Sequence, residues 1–269
     1  MRYFLSTIGD VTFEESAGWK MKYVHHALPV AKEFGLGLEV CEFCITENLD
    51  EKRDEIMPFF LENVQGASAV ILHAPFNELY PHAIEPKVRE VAMERLSDIY
   101  RLAREIGAEK MVVHANFVES LYHPDWFVEK QIAFWREFLE KNEGETVLVL
   151  ENVMEQSPEM LVKIAAGVSD SRLRLCLDLG HANLTKTPVS TWISECAPYL
   201  SHYHIHNNHG PVEAGPASGG DLHRAVFDGA MDMEALLRLA EKLTPDATAT
   251  VECNEVKSSS EWLKEKGFI

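Results

Sequence analysis

The sequence predicts an α/β protein folded as one (β/α)8, or TIM, barrel over residues 1–269, and three observations carry that expectation. Short apolar runs alternate eight times with longer amphipathic stretches. Seven of the eight runs end in a carboxylate or an imidazole. No Ser-, Pro- or Gly-rich linker divides the chain, so its 46% hydrophobic residues suit a single large core. A doubly wound open sheet is the competing architecture for the same alternation.

The candidate strands occupy residues 3–8, 36–43, 68–73, 110–114, 146–151, 173–179, 201–206 and 247–252. Between them, apolar residues recur at three- and four-residue spacing, as in 86–106 (Val88, Val91, Ala92, Leu96, Ile99, Tyr100, Ala103) and 126–139, which is the helical period. Gly35, Gly66, Gly107 and Gly144 stand at helix-to-strand joints, where a left-handed cap is wanted. Asp125 and Asp232 stand where N-caps belong. The longest irregular piece, 207–232, follows the seventh strand, and long loops in compact domains are usually functional.

The residues at the strand ends are Glu42, His73, His114, Glu151, Asp178, His204 and Glu252, on strands two to eight. A barrel brings these positions together at its mouth, where active sites of this architecture are built. One such His or Glu alone is more often a hydrogen-bonded surface residue. A ring of seven is different, because so many acids repel one another unless cations are bound, and His with Asp/Glu suits Zn²⁺ or Mn²⁺ rather than Ca²⁺. The densest segment, LSHYHIHNNHG at 200–210, places His202, His204 and His206 on one strand face. Of these, His204 is the expected ligand and His202 a core residue, while His206 is expected to touch substrate and His209 only solvent. His25, His26, His82 and His123 read as ordinary helical or loop residues without partners.

Charge and cysteines narrow the function. With 25 basic against 43 acidic residues, the net charge of −18 disfavours nucleic acid, whose phosphates are held by Lys and Arg. The N-terminal run is too short for a signal h-region, and no run approaches the length of a membrane helix. Cys41, Cys44, Cys176, Cys196 and Cys253 form an odd, scattered set, read as reduced buried thiols of a cytoplasmic protein. Cys41 and Cys44 make a lone CxxC, a weaker sign of zinc or redox chemistry than a doubled motif would be.

Several motifs are informative as an ordered set: HAPF at 73–76, VVHAN at 112–116, LENV at 150–153, CLDLGHAN at 176–183, HYHIHNN at 202–208, DLH at 221–223 and VEC at 251–253. In order and spacing they resemble the xylose isomerase-like TIM-barrel superfamily, which holds metal-dependent sugar isomerases and epimerases beside endonuclease IV-type apurinic endonucleases. The resemblance spans nearly the whole chain. Laid on the epimerase pattern, it implies one divalent metal on Glu151, Asp178, His204 and Glu252. Glu151 and Glu252 would also exchange protons with adjacent substrate carbons, while the metal stabilises an enediolate. Laid on the endonuclease pattern, it implies three zinc ions: one on His73, His114 and Glu151, one bridged by Glu151 to Asp178, His204 and Glu252, and one on His181, Asp221 and His223.

The run RAVFDGAMD after DLH departs from that family, with Ala225 and Phe227 where Pro and Gly are usual. Near the strand ends the only positive charges are Lys186, Arg224 and Lys257, which argues against duplex DNA. The expected function is a metal-dependent isomerase or epimerase of a small sugar or sugar phosphate, with Zn²⁺ or Mn²⁺ as one to three ions. The alternatives are a zinc phosphodiesterase and a barrel that binds sugar without turnover. His206, Glu42, Asn77 and Trp126 are the expected substrate contacts.

Overall fold

The computed structural model describes residues 1–14, 20–211 and 220–269. The chain runs β1 (Arg2–Ser6), β2 (Val11–Glu14), β3 (Lys20–Tyr23), α1 (Ala27–Phe34), β4 (Gly37–Val40), α2 (Thr46–Asp50), α3 (Arg53–Gly66), β5 (Val70–His73), α4 (Pro86–Glu105), β6 (Lys110–His114) and α5 (Pro124–Lys141). It continues through β7 (Val147–Glu151), α6 (Glu159–Val168), β8 (Leu173–Asp178), α7 (Leu179–Asn183), α8 (Val189–Cys196), β9 (Leu200–Ile205), α9 (Met233–Leu243), β10 (Thr248–Val251) and α10 (Val256–Glu265). Eight parallel strands close in the order β1-β10-β9-β8-β7-β6-β5-β4. The expected barrel, rather than an open sheet, is therefore the fold.

Strand alternation builds the barrel interior in layers. Phe4, Ile71, Val112, Val149 and Cys176 form a buried apolar plug along the axis. Gly37 fits beside it because a Cβ there would overlap the Phe4 ring. Two residues further along, β5 to β8 present His73, His114, Glu151 and Asp178 on the same inward face. The opposite faces of the strands pack against the helices in a second, larger core.

Four sequence expectations are corrected. Strand β4 stops at Val40, so Glu42 lies beyond it. On α4 the buried stripe is Ala92, Leu96, Ile99, Tyr100, Leu102 and Ala103, whereas Val88 and Val91 face solvent. Each large buried side chain of that stripe contributes on the order of 1.5–3 kcal/mol. The N-cap of α5 is His123, whose side chain accepts from the Asp125 backbone N–H, so Asp125 is already inside the helix. Gly66 ends α3 without a left-handed turn and is small because a Cβ would press on Leu28. Asp232 does cap α9, and Gly35, Gly107 and Gly144 do take positive φ. The antiparallel hairpin of β2 and β3 is an addition to the eight expected strands.

Candidate metal centre

Among the described residues five groups of ligand-type atoms converge, three of them made of mouth residues alone: His73, His114 and Glu151; Glu151, Asp178, His204 and Glu252; and His181, His206, Asp221 and His223; the other two draw in Cys176 and His202 beside His204, and Glu39 beside His73 and Glu252. All nine residues that the resemblance implied as ligands are in this set. A cavity of about 400 Å³ opens above them, walled by Phe76, Asn77, Tyr80, Asn116 and Met154. A groove of about 550 Å³ between α4 and α5 is lined by such residues as Arg89, Glu90, Lys130 and Glu137, and contains no such convergence.

Hydrogen bonds set which ring nitrogen each histidine offers. His73 Nδ1 donates to the Ala74 carbonyl at 2.9 Å, His181 Nδ1 to the Asn152 carbonyl at 2.8 Å and His223 Nδ1 to the Glu252 carbonyl at 2.9 Å. Each bond to a carbonyl places a proton on Nδ1 and leaves Nε2, the nitrogen whose proton a cation would displace, aimed into the mouth. His204 is inverted: its Nε2 faces Glu39, and Nδ1 points at the carboxylates.

The spacings fit a cation. Two ligands of one tetrahedral zinc, each about 2.0–2.2 Å from it, lie roughly 3.3 Å apart. His114 Nε2 is 3.3 Å from both His73 Nε2 and Glu151 Oε2. His204 Nδ1 is 3.1 Å from Glu252 Oε2 and 3.3 Å from Glu151 Oε1. Asp221 Oδ2 is 3.1 Å from His181 Nε2 and 3.0 Å from His223 Nε2. Moreover, Glu151 Oε2, His204 Nδ1 and Asp221 Oδ1 are buried without a hydrogen-bond partner among the described residues. Orphaned buried atoms of this kind are costly unless a ligand satisfies them.

Electrostatics agree. Burial opposes every charge here, yet His204 and His114 hold Glu151 well below the usual carboxylate range. Against the same burial, Asp178, Asp221 and Glu151 raise His181 well above an ordinary imidazole, and Asp221 and Glu252 raise His223 to about 9.

Local sequence explains the framing. Asp178 caps α7 by accepting from the His181 backbone N–H through Oδ1, which fixes the DLGH turn. Asn152 exchanges two hydrogen bonds with the Asp178 backbone, at 2.8 and 3.0 Å, tying β7 to β8. Glu155, buried, accepts from the Phe117 and Val153 backbones and links the loops after β6 and β7. The non-glycine residues Glu78, Asn116 and His223 adopt positive φ at the mouth, where such strain is commonly kept for function. After DLH, the Asn207 side chain binds Val226 and Met231, and the backbone turns from Ala225 to Asp228. A Cβ on Gly229 would overlap Asn207, so this loop closes with neither the expected Pro nor Gly at 225 and 227. Residues 212–219 of the long loop lie outside the described residues.

The expected substrate contacts divide. Asn77 lines the cavity. Glu42 does not: it is buried beneath, accepting from Asn63 and Thr7. Trp126 does not either, its indole N–H donating to the His82 carbonyl and its ring carrying Lys130. His206 is fully buried, with Nε2 3.1 Å from Asp178. His202 is a core histidine, as expected, and His209 is exposed. Three histidines expected to lack partners have them: His25 bonds Asn63 and pairs with Glu62, buried His82 bonds Gln131, and His123 caps α5. Sequence reasoning passed over Glu39, although counting the alternation of β4 from Gly37 puts it on the inward face.

A sequence profile of the xylose isomerase-like TIM barrel family matches residues 28–266. The chain belongs to that family. An uncharacterised protein of Methanocaldococcus jannaschii is 24% identical over 210 residues, 73% of this chain and 69% of that one. The fold is similar to that of a D-tagatose 3-epimerase-like protein, with a TM-score of 0.75 and 20% identity over 99% of this chain and 97% of the other. It is also similar to the TTHB071 protein of Thermus thermophilus, solved after soaking with ZnCl2, at a TM-score of 0.70 and 22% identity over 100% and 98% of the two chains. At these identities the two solved structures establish a common fold. All five cysteines are free and buried, and no described helix is long and apolar enough to cross a membrane.

Proposed function

We propose that this protein is a metal-dependent isomerase or epimerase of a small carbohydrate. The observation that carries the reading is the convergence of Glu151, Asp178, His204 and Glu252, whose ligand atoms lie within 4.8 Å of one another under an open cavity. A divalent cation on these four residues, Zn²⁺ or Mn²⁺ by donor type, would polarise a substrate carbonyl and acidify the neighbouring C–H. Glu151 and Glu252 come from strands three places apart around the barrel. They therefore reach the cavity from different sides, and one carboxylate takes a proton from carbon while the other returns one to the neighbouring face. Phe76, stacked on His114 with centroids 4.4 Å apart, gives the sugar an apolar wall, Asn77 supplies an amide for its hydroxyls, and Asn116 holds the wall in place by donating to the Phe76 and Leu79 carbonyls. The cavity walls carry no lysine or arginine among the described residues, which suits a neutral substrate better than a polyanion. The D-tagatose 3-epimerase-like relative supports the same substrate class.

The test is exchange of a carbon-bound proton into D₂O by purified protein with Mn²⁺, Co²⁺ or Zn²⁺, across a panel of ketoses and aldoses. No exchange with any of them sinks the reading. A second reading, a zinc phosphodiesterase, is favoured by the three ligand groups standing side by side. Phosphodiester hydrolysis with two or more tightly bound ions per chain would select it, and a single bound ion would dismiss it.

A further inference from the structure

Glu39 lies at the centre of the barrel, fully buried, and its partners are specific. Its Oε2 accepts from the Thr250 hydroxyl at 2.6 Å and from His202 Nε2 at 3.1 Å. His204 Nε2 donates to the same Oε2 at 3.3 Å, while Oε1, 3.1 Å from that nitrogen, has no hydrogen-bond partner among the described residues. Proton direction follows from the carboxylate, which can only accept, so His202 carries a proton on Nε2, facing Glu39. On the other side of the ring, Thr248 Oγ1 lies 2.6 Å from His202 Nδ1, accepts from Lys110 Nζ at 2.7 Å and has the Ser201 carbonyl 3.4 Å away. Glu39 thus accepts from three donors, and no lysine or arginine is among its partners in the described residues.

We propose that Glu39 is a positioning residue for the metal centre, orienting His204 so that Nδ1 is its ligand atom and lending the imidazole negative charge. His73, His181 and His223 are each oriented by a backbone carbonyl, whereas His204 is held by a carboxylate. A carboxylate behind an imidazole makes it a stronger donor and fixes its ring plane, and such outer partners are typically worth about 10–100-fold in metal affinity. The inference rests on the reading of Glu151, Asp178, His204 and Glu252 as a metal site.

Two measurements test it. In wild-type protein labelled with ¹⁵N-histidine and loaded with ¹¹³Cd²⁺, the metal should couple to His204 Nδ1, with a slowly exchanging proton on Nε2. Coupling through Nε2 overturns the proposal. In Glu39→Gln, which keeps the shape and one acceptor oxygen, competition with a zinc chelator should show one ion bound roughly 10–100-fold more weakly, at an unchanged apo melting temperature. Thr250→Val, which leaves the Glu39 to His204 contact in place, should bind as wild type does. Unchanged zinc affinity in Glu39→Gln overturns the proposal while the functional reading stands. A wild-type protein that binds no ion overturns both. Should Glu39→Gln not fold, the wild-type coupling decides alone.

Discussion

His206 and His223 stack face to face, with ring centroids 3.9 Å apart and planes 8° from parallel. An imidazole nitrogen donates in its own ring plane, so one ion cannot lie in both planes at once. Although the ligand atoms of His181, His206, Asp221 and His223 are close, His206 therefore holds Asp178 rather than sharing an ion with His223. Metal analysis should find the same number of ions in His206→Gln as in wild type, and one fewer in His223→Ala. Equal losses in the two variants would show that the rings separate to share an ion.

Glu151 faces two ligand groups at once, with Oε2 toward His73 and His114 and Oε1 toward His204. Glu151→Gln should therefore weaken binding at both positions and lower turnover by on the order of 10³-fold, since it removes a ligand and a proton carrier together. Glu252→Gln should spare ion binding by His73 and His114. Metal stoichiometry measured beside the rate of C–H exchange separates the two effects.

Burial pushes His82 down to about 4, and its Nε2 has no partner among the described residues. The unfolded chain, with an ordinary imidazole near 6.5, binds the proton more readily between those values. Stability should consequently rise with pH across that window, by on the order of 2–3 kcal/mol from this group. Denaturant titrations from about pH 4 to 7 should give a flatter slope for His82→Asn than for wild type. Parallel slopes would mean that His82 is charged in the fold.

Glu42 has the opposite sign. Burial raises it to about 7 against the hydrogen bonds from Asn63 and Thr7, so the folded state holds the proton more tightly than the unfolded one. Its contribution is present below about 4.5 and is lost as pH rises through about 7. Glu42→Gln, which keeps the volume and removes the charge, should gain stability relative to wild type at about pH 8, by on the order of 1–3 kcal/mol. A loss at that pH would show that the carboxylate is needed by its neighbours.

Repetition and alternation are local properties, so the barrel and its ring of ligand-type side chains were legible in the chain. His73, His114, Glu151, Asp178, His204 and Glu252 stand at strand ends, and any (β/α)8 closure brings strand ends together. The ordered motifs added His181, Asp221 and His223. Less legible were features whose partners come from across the barrel. His204 and Glu39 are 165 residues apart and meet only because β4 and β9 face each other over the axis. Glu42 stood out in the sequence as an acid near a strand end, yet β4 ends two residues earlier and Glu39 points inward instead. The sequence by itself determined which residues could bind a cation and at which end of the fold they would gather. Only the tertiary structure decided which nitrogen of His181, His204 and His223 faces the mouth, because that depends on a carbonyl or carboxylate brought behind the ring from another strand or loop.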